Sequence, residues 1–502
     1  MRKLLAALLL FPPLVLGAGA AAQPLRVGLA SDPDILDPTL SRTSAGRVVF
    51  SAMCDKLIEI DAGLNFVPQL ATGWAWQDDG KTLALTLRSG VAFHDGAAMD
   101  AAAVQGALQR HLTMQGSTRR AEMGPVTAID ATGPLEVKIR LSAPFAPLVA
   151  ALSDRAGMVM SPASAAQAGE GFARAPGCAG PFRFVRRIAQ DRIELEKFAG
   201  YWNATAISFD RALYHPVPDA TVRAANLRSG VLDVIEAVNP SDVPDLKADR
   251  RVRLHFGPSL AVNYLAINVG NGKRAEGPLG RSALVRAALE AAIDRTVLNQ
   301  VAFEGLFTPG NQAVPPGHAF YAGAIPVPGR DLARAKALLK QAGFETLKVQ
   351  LTVPNTTLYR QVSEVLQAMA AEAGIQMELV VTEVATALKQ WTDGDFESLI
   401  IAWSGRTDID GNLYNFKACG AALNGGKYCN AEVDRLLNLG RQSGEAAVRK
   451  AAYGEAAKLY LEDRPYIYLW HPVLITGAAA NIQGLAMVPD GLIRPQGVRR
   501  GN

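Results

Sequence analysis

Two periodicities divide the chain. Through residue 230 the runs are short: LRVGLA (25–30) reads as an apolar strand, while Leu83, Leu85 and Leu87, then Val137, Ile139 and Leu141, alternate with polar neighbours. A period of two sends successive side chains to opposite faces, so the alternating runs predict strands with one buried face. Between them, Asp100 precedes AAAVQGALQRHL, and Asp219 precedes a segment that stops at Gly230. In both places a short acidic side chain is set to cap a helix start.

Beyond residue 260 the rhythm is more regular. VNYLAIN (262–268) predicts a strand, and Leu284, Val285, Ala288, Leu289, Ala292 and Ile293 mark one face of a helix. Strand 347–353, helix 357–373 ending at Gly374, strand 375–381, helix 384–391 and strand 398–403 then make a β-α-β-α-β unit. Leu399 to Trp403 is apolar without alternation, which predicts a strand covered by helices on both faces. Helices over 430–441 and 445–463 and a strand from Tyr466 to Trp470 follow. Two α/β lobes are therefore expected. Ligands of open α/β sheets sit beyond the carboxyl ends of strands. That points to SGRTDIDGN after Trp403, a segment rich in Arg406, Asp408, Asp410 and Asn412.

At 502 residues there is enough chain for about two or three domains. Usage is ordinary for a globular protein, with 49% hydrophobic and 20% charged residues. Basic residues exceed acidic ones by four (51 against 47) and form no block, so nucleic-acid binding has no support. Met1-Arg2-Lys3, an apolar run from Leu4 to Leu16 and Ala20-Ala21-Ala22 read as an export signal over residues 1–22, cleaved after about Ala22. The run is too short for a membrane anchor, and Pro12-Pro13 interrupts it. Export implies an oxidising compartment for the four cysteines. Cys419 and Cys429 flank a Gly/Asn-rich stretch that can bend to join them, whereas Cys54 and Cys178 are either paired or separately buried. No CxxC or HxxxH spacing suggests a metal.

The chain resembles the family 5 solute-binding proteins of ABC importers, the dipeptide, oligopeptide and nickel group. The matching pieces run in family order: DPDILDP (32–38), LRSGVAFHDG (87–96), ELEKFAGYW (194–202), VRAALEAAIDR (285–295), AKALLKQAGF (335–344), YCNAEVDRLL (428–437) and EDRPYIYL (462–469). The resemblance implies the α/β, two-lobe periplasmic binding protein fold of type II, large cluster C-like, with an extra subdomain in lobe I. Lobe I is expected over 23–265 with the subdomain at about 57–178, lobe II over 266–474, and a return to lobe I over 475–502. It also implies a monomer in the periplasm that closes on a peptide or small organic ligand by hinge motion and hands it to ABC permease subunits in the inner membrane. No cofactor is implied. Haem or nickel binding occurs in the family, but no ligand cluster for either stands out here.

By the same resemblance, Trp403 packs on the ligand, and Ser404 and Gly405 offer backbone groups to it. The dipeptide branch has W-x-G-D here, its acid holding an ammonium, whereas this chain reads Trp403-Ser404-Gly405-Arg406. A guanidinium holds a carboxylate or phosphate instead. Arg406 either faces the cleft or pairs with Asp408 or Asp410, which could themselves receive an amine. Secondary candidates are Ser31 and Asp32 after the first strand, Asn263 and Tyr264 near the hinge, and Arg360 at the start of a lobe II helix. His94-Asp95 suggests a hydrolase in isolation, yet FHDG matches a structural turn of the family, and no nucleophile motif accompanies it. A secreted hydrolase and a chemoreceptor ligand carrier are the alternatives to import.

Overall fold

The computed structural model describes residues 24–501, so the export signal expected over 1–22 lies outside the described residues. Lobe I is built on a seven-stranded sheet in the order Val252–Gly257, Leu474–Ala479, Val234–Ile235, Leu25–Leu29, Arg211–Pro216, Arg192–Lys197, Phe182–Ile188. Leu25–Leu29 runs parallel to both its neighbours, and the remaining pairs are antiparallel. Inserted in this lobe is a four-stranded antiparallel sheet, Ala71–Gln77, Thr82–Leu87, Glu136–Leu141, Val126–Gly133. Leu83, Leu85, Val137 and Ile139 form its buried face, as their alternation predicts, together with Val104 and Leu108 of helix Ala101–Thr113. Asp100 caps that helix by accepting from the Ala103 amide at 2.8 Å.

Lobe II holds a six-stranded sheet ordered Thr308–Pro309, Tyr466–His471, Val262–Ile267, Ser398–Trp403, Leu347–Pro354, Ile375–Thr382. The expected β-α-β-α-β unit is present, with helices Thr357–Glu372 and Val384–Asp393 as its connections. Leu347–Pro354 lies parallel to both Ile375–Thr382 and Ser398–Trp403. The chain leaves the first sheet at Gly257 and enters the second at Val262, returning between His471 and Leu474. Strand Val262–Ile267 is buried along its whole length and bonded on both sides within lobe II. Asn263 and Tyr264, expected on the lobe I side of a crossing at 265, therefore belong to lobe II.

Both cysteine pairs are joined. Cys54–Cys178 closes a separation of 124 residues, tying the first helix to the end of the subdomain, and Cys419–Cys429 closes one of 10. No helix among the described residues is long and apolar enough to cross a membrane.

Candidate functional site

Strand Ser398–Trp403 does not remain covered on both faces. Leu399 and Ile400 are buried, but Ala402 is exposed and Ile401 and Trp403 half-buried, because the end of the strand opens into a cavity of about 280 Å³ between the lobes. Lobe I contributes Arg42, Thr118, Arg119 and Arg155 to its lining. Lobe II contributes Tyr264, Trp391, Thr392, Ile401 to Trp403, Phe416 and the segment from Gly420 to Lys427. The Cys419–Cys429 disulfide brackets that last segment, so the bond braces a cavity wall. Inside the bracket Asn424 donates to the carbonyls of Ala418 (3.0 Å) and Tyr428 (2.6 Å) and accepts from the Tyr428 amide. Gly425 lies so close to the Trp391 ring that a Cβ there would sit 2.1 Å from Nε1. Polar contacts join the lobes at the rim. Arg42 donates to Thr392 Oγ1 and Arg47 to Ser404 Oγ, both at 3.2 Å, and the Ala146 amide donates to the Arg441 carbonyl at 3.0 Å.

The segment after Trp403 is pinned by Asn412. Its Oδ1 accepts from Trp403 Nε1 and from the Arg406 amide, each at 2.8 Å, while Nδ2 donates to the Arg406 carbonyl at 3.0 Å. Gly405 has φ +75°, and a Cβ there would sit 2.2 Å from the Leu260 carbonyl oxygen in the crossing segment, so only glycine fits. Trp403 meets Phe416 edge-on at 4.7 Å, and the Arg406 guanidinium lies over the Trp403 ring at 4.2 Å.

Arg406 pairs with neither nearby acid. Its Nε lies 3.5 Å from Asp154 of lobe I, while Asp408 is held by Arg449 at 2.7 Å and Asp410 by Arg441 at 3.0 Å. The Asp154 carboxylate also takes Arg47 at 2.5 Å and Arg155 at 3.5 Å. Burial alone would raise its pKa, but Arg406, Arg47 and Arg155 outweigh that and hold it well below the usual carboxylate range. Arg119 pairs with Glu122 at 3.0 Å. Four buried guanidiniums thus face two carboxylates. Burial, with neighbouring cations, brings Arg155 down to about 9; burial also brings Arg406 to about 10, the pull of Asp154 notwithstanding. The site is poor in negative charge.

Of the residues singled out from the sequence, Trp403 and Tyr264 line the cavity. Ser404, Gly405 and Arg406 stand directly behind it, at the interface closed by Asp154. Asp408 and Asp410 flank a small side pocket with Arg406. The others lie elsewhere. Asp32 accepts from Arg187 and from the Gln190 amide, both at 2.9 Å, and ties the end of the first strand, where Ser31 sits, to the 182–197 hairpin. Asn263 accepts from Tyr359 at 3.1 Å, and Arg360 is exposed on its helix, outside the cavity lining. His94 serves the turn: Nε2 bonds the Gly180 carbonyl at 3.1 Å and Nδ1 accepts from the Cys178 amide at 3.3 Å. Among the described residues no cluster of three His, Cys, Asp or Glu side chains is placed to hold a metal.

Residues 65–424 match the family model described as bacterial extracellular solute-binding proteins, family 5 Middle. The chain belongs to this family. It is thus a solute-binding protein and not an enzyme. Over 501 residues it is 28% identical to the glutathione-binding protein GsiB of Salmonella paratyphi A, covering 97% of this chain and 96% of that one. Among solved structures it is similar to DppA of Helicobacter pylori in complex with the peptide STSA, with a TM-score of 0.88, 23% identity and coverage of 96% and 98%. It is similar also to AgaA of A. tumefaciens R10 in complex with agropinic acid, with a TM-score of 0.87, 24% identity and coverage of 96% and 99%.

Within the family 5 frame, the sequence reading missed Arg119, Arg155 and Asp154, which supply the lobe I side of the cavity and the partner of Arg406. One signal was available. Asp154-Arg155 interrupts an otherwise apolar run, ALSDRAGMVM, and charges in such a run are buried with partners or not tolerated. Trp391 and the 420–427 wall carried no comparable mark.

Proposed function

We propose that this protein captures a small anionic, peptide-like solute in the interlobe cavity and delivers it from the periplasm to an ABC permease. One observation carries the reading: the lining brings Arg42, Arg119, Arg155 and Lys427 around the rings of Trp391, Trp403 and Phe416. Guanidiniums recognise carboxylates by paired hydrogen bonds, and aromatic rings hold the intervening apolar or amide portions. The side chains come from both lobes, so ligand contacts favour the closed form over the open one. The named ligand of the GsiB relatives, glutathione, is a compact peptide with two carboxylates and supports the same class. The two disulfides fit an exported protein.

Calorimetry and thermal melting with glutathione, an acidic dipeptide and a neutral dipeptide test this. A ligand at about a hundred times its Kd adds about 2.7 kcal/mol to the stability of the form that binds it. The acidic ligands should raise the melting temperature and the neutral dipeptide should not. Tighter binding of the neutral dipeptide would overturn the anionic assignment.

A further inference from the structure

We infer that the site reads carboxylates and makes no demand for a free ammonium, so that its substrate class extends to N-acylated and amine-free acids. This rests on the reading of the cavity as an anion site and adds a statement about the other end of the ligand.

The argument is one of charge and valence. Arg42, Arg119, Arg155 and Lys427 line the cavity, and among the described lining residues there is no Asp or Glu. The carboxylates nearest to it are already engaged. Asp154 holds Arg47, Arg155 and Arg406; Glu122 holds Arg119; Asp408 and Asp410 hold Arg449 and Arg441. An ammonium could reach one of them only by displacing a guanidinium from a largely buried pair, which strands that guanidinium. Of the aromatic rings in the lining, Trp403 already carries the Arg406 guanidinium.

The hydrogen-bonding character of the charged lining points the same way. Its charged groups are all donors, and an ammonium, with three donors and no acceptor, answers none of them, whereas a carboxylate accepts from them and neutralises part of the surplus charge.

The test is calorimetry on the disulfide-intact mature protein with two matched sets: glutathione, N-acetylglutathione and glutathione dimethyl ester; and Ala-Glu, N-acetyl-Ala-Glu and Ala-Glu dimethyl ester. In any set whose parent acid binds, acetylation should change Kd by less than about tenfold, and esterification should weaken it by about tenfold or more. Acetylation that weakens binding by about tenfold or more overturns the inference while leaving the anionic reading intact. If esters bind as well as acids, or if neither parent acid binds, the anionic reading fails and the inference falls with it.

Discussion

Substituting Asp154→Asn separates the contribution of lobe closure from that of ligand contact. Asp154 Oδ2 is 2.5 Å from Arg47 Nη2 and 3.5 Å from Arg406 Nε, and Oδ1 is 3.5 Å from Arg155 Nε. Arg47 and Arg155 share lobe I with Asp154, so those pairs persist when the lobes part. Arg406 arrives only on closure. Opposite charges 3.5 Å apart attract by about 5 kcal/mol at an effective dielectric constant of about 20. Desolvation offsets part of that, but in the Asn variant Arg406 would close onto Arg47 and Arg155 with no anion between them. Stranding a buried charge costs about 3–5 kcal/mol. The lower figure alone lowers the closed-to-open ratio by about a hundredfold.

Small-angle scattering of the ligand-free and ligand-saturated protein reports closure, and calorimetry reports affinity. Asp154→Asn should need far more ligand to reach the compact form, with a Kd weakened by about a hundredfold or more. The control is Asp408→Asn, which breaks a pair with Arg449 inside lobe II at 2.7 Å and should lower melting temperature without shifting closure. If Asp154→Asn closes with wild-type affinity, or if Asp408→Asn alters closure as much, the interlobe pair is not what holds the lobes together.

Three further outcomes are expected. Replacing Cys419 and Cys429 by serine should cost at most about 3 kcal/mol in denaturant unfolding, given the short loop, and should weaken ligand binding in calorimetry because the bond braces a cavity wall; an unchanged Kd would show that the Asn424 hydrogen bonds suffice. Burial pushes the Asp55 carboxyl up to about 7 against the hydrogen bonds from Trp202 and Tyr201. Because the folded form favours the proton, stability falls as pH rises from about 4 to about 7, by as much as about 4 kcal/mol. Asp55→Asn should therefore raise the melting temperature at pH 8 and do little at pH 4, and the reverse order would refute the burial argument. Gly405→Ala places a Cβ 2.2 Å from the Leu260 carbonyl at φ +75° and should destabilise by about 2–4 kcal/mol in denaturant titration, whereas wild-type stability would mean the crossing segment gives way freely.

The β-α-β-α-β unit over 347–403 is legible in the sequence because each element carries its own mark within its own length. The hairpin Phe182–Ile188 with Arg192–Lys197 is not, because FRFVRRI lies at the sheet edge, arginine-rich, with a bulge between Phe184 and Arg186 that breaks its alternation. The site divides along the same line. The pins of the Trp403 segment are local, since Asn412 reaches Trp403 and Arg406 nine and six residues away, and a buried strand running into a polar loop is visible without a structure. Asp154–Arg155 and Arg119–Glu122 are local, but the pairs that Asp154 makes with Arg47 and Arg406 are not. Arg47 meets Asp154 across 107 positions, and the sheets, not the spacing, bring Asp154 to Arg406. Proximity in sequence favoured Asp408 or Asp410 for Arg406, but helices Ala431–Gln442 and Ala446–Asp463 supply Arg441 and Arg449 to those acids first. The physical reason lies in the opening motion. Pairs made within one lobe hold their charges in both states, whereas a cleft charge that has no partner in its own lobe is solvated when the lobes part and matched only when they meet. Arg406 is such a charge, and the absence of a local partner is what marks it as a closure contact.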